Sequence, residues 1–65
     1  MTEITWGDTV LVASDAPAEF RPGEFGEVCG FNELDGHRLS YTVEFGDGVT
    51  IEAPSAFISR ADISN

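Results

Sequence analysis

Two alternating runs joined by a glycine turn, residues 41–48 and 49–52, constrain this chain more than any other part of it. Tyr41, Val43 and Phe45 fall on one face and Thr42 and Glu44 on the other, which is the period-2 pattern of a strand with one face buried and one in water. Gly46, Asp47 and Gly48 then reverse the chain into Val49, Thr50, Ile51 and Glu52, which alternate again. A hairpin of this kind cannot bury its apolar face alone, so the remaining segments must supply strands to cover it.

They have the composition to do so. Residues 9–13 are β-branched and apolar, with Val10 and Val12 pointing one way and Leu11 the other, and Trp6 is a candidate cover for that second face. Residues 25–33 read as a second strand interrupted by Gly26 and Gly30. Glycines inside a strand mark bulges or sharp bends, and a bulge here would let Val28 and Phe31 both reach the core. Asp35-Gly36 is the dipeptide favoured in a type I′ hairpin, leading into a third strand from Arg38. Pro54 ends the fourth strand, a single 3₁₀ turn fits the residues after it, and Ile58 and Ser59 form the last strand. Residues 14–24 hold two prolines and a glycine and read as a long loop, with one helical turn near residues 15–19 and a type II turn at Arg21, Pro22 and Gly23. The expected core is Val10, Val12, Val28, Tyr41, Val43, Phe45, Ile51, Phe57 and Ile58.

Five short strands, a long first loop, two tight hairpins and a one-turn helix before the last strand describe an all-β fold, a small five-stranded antiparallel SH3-like barrel. The 65 residues form one domain, 1–65, with residues 1–5 and 61–65 expected to fray. A chain this short buries only about 60% of the surface its unfolded form exposes, so the core is thin. The pattern Gly7-Asp8 with Val10 and Val12, then Arg21, Pro22 and Gly23 with Gly26 and Val28, then Tyr41, Val43, Phe45 and Asp47-Gly48, and finally Pro54, resembles a group of small prokaryotic SH3-like barrels. A similar spacing is found in the barrel domain of the nitrile hydratase beta subunit, in the variable subunit of ferredoxin-thioredoxin reductase, and in short single-barrel proteins. The resemblance implies a barrel that docks onto another protein and is not itself a catalytic centre.

Charge narrows the function further. Twelve acidic residues face three arginines and no lysine, a formal net charge of −9. Such a surface repels a phosphate backbone, so a nucleic-acid-binding barrel is the least favoured alternative. The acidity fits either a basic protein partner or adaptation to a salt-rich, halophilic cytosol. Cys29 is the single cysteine, which excludes an internal disulfide and suits a reducing cytoplasm. No apolar run is long enough to span a membrane, and the N-terminus lacks the pattern of a signal peptide.

The acidic residues Asp35, Glu44, Asp47 and Glu52 lack the spacing of a calcium loop, and Asp47-Gly48 is a common hairpin pair. His37 sits in a hairpin turn and Cys29 in a strand, positions that suit a solvated imidazole and a packed thiol better than a base and a nucleophile. No catalytic residue, metal site or cofactor is expected. The aromatics are more informative, because a barrel this small cannot bury Trp6 and all of Phe20, Phe25 and Phe31. An exposed ring beside acidic residues has the anatomy of an interface, set against the plainer reading that these rings close the barrel's ends. The candidate protein-binding residues are therefore Asp15, Glu19, Phe20, Arg21, Glu24, Phe25, Glu27 and Phe31. The expected protein is non-enzymatic, cytoplasmic and monomeric when free, and binds another protein through residues 14–24 and the adjoining strands. The alternatives are an immunity or inhibitor protein against a basic toxin, and a small structural or assembly subunit.

Overall fold

A computed structural model describes residues 4–61; the expected fraying at 1–3 and 62–65 lies outside the described residues. Five strands, β1 (Thr9–Val12), β2 (Phe25–Leu34), β3 (His37–Glu44), β4 (Thr50–Pro54) and β5 (Ile58–Arg60), form one antiparallel sheet in the order β4-β3-β2-β1-β5. Single 3₁₀ turns at Ala18–Phe20 and Ser55–Phe57 are the helical elements among the described residues. The edge strands β4 and β5 are not hydrogen-bonded to each other, so the sheet is not closed by its backbone. Nevertheless all five strands contribute to a single apolar cluster, and the sheet must coil around it.

The register of β2 on β3 decides what enters that cluster. Val28 faces Val43, but the next pair is Gly30 with Thr42, which leaves Cys29 as an extra residue on β2. Without that bulge, Val28 and Phe31 would lie on opposite faces; with it, Phe31 faces Tyr41 on the core side. The expected bulge is therefore present and has the expected consequence. A second irregularity skips Leu39 between the pairs Asn32 with Ser40 and Glu33 with Arg38, and Leu39 is left half in solvent.

Val10, Val12, Val28, Tyr41, Val43, Phe45 and Ile58 are buried as the alternation requires, whereas Ile51 and Phe57 are only half-buried against them. Two alanines complete the core. Ala53 faces Tyr41 in the same row as Phe31, where a larger side chain would compete with the two rings, and Ala16 is drawn in by its hydrogen bond to the Ala13 carbonyl. Trp6 does not lie over the outer face of β1 but stacks on Phe31 at 5.1 Å between ring centroids. Residues 4 and 5 are tied down: Ile4 packs on the core and accepts a hydrogen bond from Arg38, and the Thr5 amide donates to Asp8.

The turns follow their local chemistry. Asp35 and Gly36 both have positive φ, as type I′ geometry demands, and Gly23 has φ +83° with the Glu24 amide donating to the Arg21 carbonyl, as in a type II turn. Gly26 is required for a different reason, since a Cβ there would stand 2.4 Å from Val43 Cγ1 and 3.0 Å from the Glu44 carbonyl oxygen. Gly46 has open space where its Cβ would be. In reversible denaturation, Gly26→Ala is expected to cost about 1–3 kcal/mol through overpacking, and Gly46→Ala to change stability by less than about 0.5 kcal/mol.

Candidate functional site

The outward row across the sheet runs Thr9, Glu27, Glu44, Thr50, each facing the next on its neighbouring strand. Glu27 and Glu44 are thus placed directly opposite one another, both exposed. Their pairing is also the last registered pair between β2 and β3. Beyond it the strands part, and a groove of about 460 Å³ opens between Phe25, Gly26 and Glu27 on one side and Glu44, Phe45 and Gly46 on the other, with Thr9 at its margin. Phe25 shares the outward face with Glu27 two residues on, and the residue is 58% exposed.

Two carboxylates facing across adjacent strands repel, typically by about 0.2–1 kcal/mol, unless a cation lies near. Among the described residues, the three arginines are paired elsewhere. Arg21 is bound to Asp47 at 3.0 Å and lies 3.8 Å from Glu24; Arg38 lies 3.6 Å from Glu33; Arg60 is 3.0 Å from Asp8. Glu52, on the same outer face, accepts hydrogen bonds from Asn32 and Ser40. Glu27 and Glu44 make no ion pair or side-chain hydrogen bond among the described residues.

Arg21 holds the groove's far wall in place. Its backbone is left-handed, φ 60°, a conformation that is unfavourable for a residue with a Cβ. The guanidinium reaches the hairpin tip and contacts both oxygens of Asp47, at 3.1 and 3.0 Å, while its carbon lies 4.9 Å from the centroid of the Phe45 ring. Asp47 also caps the turn by accepting from the Val49 amide. The long loop is therefore fastened to the β3–β4 turn beside Phe45 and Gly46.

Of the eight residues expected to bind, the structure gathers Phe25 and Glu27 in the groove. Asp15, Glu19 and Glu24 are exposed on the loop but do not line it. Phe20 turns inward against the core, 6.1 Å from the Phe57 ring. Arg21 is engaged as described. Phe31 lies elsewhere, half-buried, with Trp6 stacked on it and the Arg38 guanidinium 3.7 Å above its centroid. Thr9 and Gly46 also line the groove, and the sequence singles out neither as a binding residue. The outward phase of Thr9 is legible from alternation, but its meeting with Glu27 depends on strand register. Among the described residues no three His, Cys, Asp or Glu side chains are placed to hold a metal ion, and no helix is long and apolar enough to cross a membrane.

No known family matches the chain, and neither the curated proteins nor the solved structures include a match to it.

The Arg21–Asp47 contact has a pH signature. Hydrogen bonds from the Arg21 guanidinium and then from the Val49 amide hold the Asp47 carboxyl below its ordinary range. Whatever stability the contact gives is present above the ordinary carboxylate pKa and is lost as pH falls through the depressed one. In an NMR titration of the side-chain carboxyl carbons, the Asp47 midpoint should lie below the ordinary aspartate range, and Arg21→Ala should move it upward.

Proposed function

We propose that this protein is a non-enzymatic, acidic binding module that docks a basic protein on the sheet face bearing the groove. The observation that carries this reading is the uncompensated Glu27–Glu44 pair beside the exposed Phe25 ring. An apolar anchor adjoining desolvatable charges of one sign is the arrangement through which an interface gains affinity from the ring and selects its partner by charge. An incoming cation would turn the repulsion between the two carboxylates into attraction on both sides of itself. Surface charge of −9 would further steer a basic partner and raise its association rate.

The resemblance to barrels that dock within larger assemblies supports the same class of function, as does the small size of the domain. An inhibitor of a basic toxin and an assembly subunit are two forms of this proposal, and stoichiometry separates them: a subunit co-purifies at a fixed ratio, whereas an inhibitor is captured only when its toxin is made. The free protein is proposed to be monomeric and cytoplasmic, since like-charged copies repel and the single cysteine suits a reducing compartment.

The test uses a photo-reactive benzoylphenylalanine in place of Phe25, with Leu39 at the opposite end of β3 as the control position. Cross-linking in the native cytosol should give a basic protein from position 25 but not from position 39. Glu44→Arg should remove the product, and Glu19→Arg should not. A product that survives Glu44→Arg, or one that is itself acidic, would contradict the proposal.

A further inference from the structure

The way β2 and β3 part suggests the form of the partner. The Glu24 carbonyl accepts a hydrogen bond from the Val12 amide, the Val28 amide donates to the Asp8 carbonyl, and the Val28 carbonyl accepts from the Gly7 amide, so the Glu24 carbonyl and both backbone groups of Val28 are directed to the β1 side. By alternation, the backbone N–H and C=O of Phe25 and Glu27 are directed to the β3 side. Glu27 finds Glu44 there. Phe25 is one step past the last registered pair, where the chain that would have faced it turns away: the Phe45 amide donates to Val49 and the Phe45 carbonyl accepts from Gly48, closing the hairpin. Gly46 stands at this point without a side chain, and the space beside it is open.

We infer that the groove receives an extended, arginine-bearing segment of the partner, which makes a short antiparallel bridge to the Phe25 backbone and sets its guanidinium between Glu27 and Glu44. The inference rests on the proposed docking of a basic protein and specifies its binding element. Register gives the geometry. A residue bridged to Phe25 directs its side chain to the same outward face, where the Phe25 ring is its direct neighbour and Glu27 and Glu44 are the next pair along the sheet. Two carboxylates set across one rung can each accept from a planar fork of N–H donors, and the stem of the same side chain lies on the ring. Arginine satisfies both conditions, whereas lysine offers a point charge without the fork. Specificity then has three separable parts: the main chain at Phe25, the ring, and the paired carboxylates.

The probe is a capped pentapeptide, acetyl-Thr-Val-Arg-Val-Thr-amide, titrated at low salt into the ¹⁵N-labelled protein and followed by amide shifts. Two analogues accompany it, one with citrulline for arginine and one N-methylated at the arginine amide, the donor of the bridge. Saturable shifts are expected at Phe25, Glu27, Glu44 and Gly46, with at least about tenfold weaker binding for each analogue and none to Gly46→Leu, which fills the groove without touching the core. Equal binding by the N-methylated peptide would overturn the strand bridge while leaving the docking of a basic partner intact. Equal binding by the citrulline peptide would overturn both. Absence of binding by all three peptides, alongside a basic partner cross-linked at position 25, would show that the partner docks as a folded surface and would overturn this inference alone.

Discussion

The register of β2 on β3 is the constraint on which the other features of the molecule depend. Side chains on a strand alternate, so a slip of one residue exchanges the buried face for the exposed one. The bulge at Cys29 makes that exchange once, deliberately placed between Val28 and Phe31, and both residues gain the core. On the near side of the bulge the same register sets Glu27 against Glu44 in solvent. A core of four fully buried valines around Tyr41 and Phe45 leaves no alternative register with a comparable buried face. The facing of the two glutamates is thus fixed by the packing beneath it and cannot be undone by sliding.

Gly26 connects this packing to the groove. Its inward side lies so close to Val43 and to the Glu44 carbonyl that β2 and β3 meet there with nothing between them. One residue later in the opposite direction they separate, because Phe45 must turn into the core and its backbone is taken by the hairpin to Val49. Arg21 fastens the loop to the other side of the same hairpin through Asp47. The groove is therefore walled by the start of β2 on one side and by the end of β3 and its hairpin on the other, and its acidic rim is a product of strand pairing. Total acidity has a second explanation in salt adaptation, but solvent adaptation spreads charge over a surface and does not require an exposed ring beside a facing pair of glutamates.

Much of this is legible in the sequence. Alternation in residues 41–52 and 9–13 identifies the strands and most of the core, and Asp35-Gly36 and Pro22-Gly23 state their turn types. The glycines of β2 announce a bulge and even its effect on Phe31. The site was only half legible. Phe25 and Glu27 could be recognised from a surplus of aromatics next to acidic residues, and the outward phase of Glu44 from its strand. What the sequence does not contain is which residues face each other across strands, so neither the Glu27–Glu44 pairing nor the role of Thr9 could be read from it. The loop was misleading for a related reason: Phe20 and Arg21 look available in a run of loop residues, yet one packs against Phe57 and the other against Asp47 and Phe45. Those contacts are long-range, and no local propensity encodes them.

The central claim is that Glu27 and Glu44 form an uncompensated pair in the free protein. A double-mutant cycle tests it most directly, with Glu27→Gln, Glu44→Gln and the double variant unfolded in denaturant at low salt and again at about 2 M salt, where the screening length falls below about 3 Å. The cycle cancels the general effect of lowering net charge and isolates the pair. The account predicts a repulsive coupling of about 0.2–1 kcal/mol at low salt that disappears at high salt. A coupling of zero at low salt, or an attractive one, would contradict it.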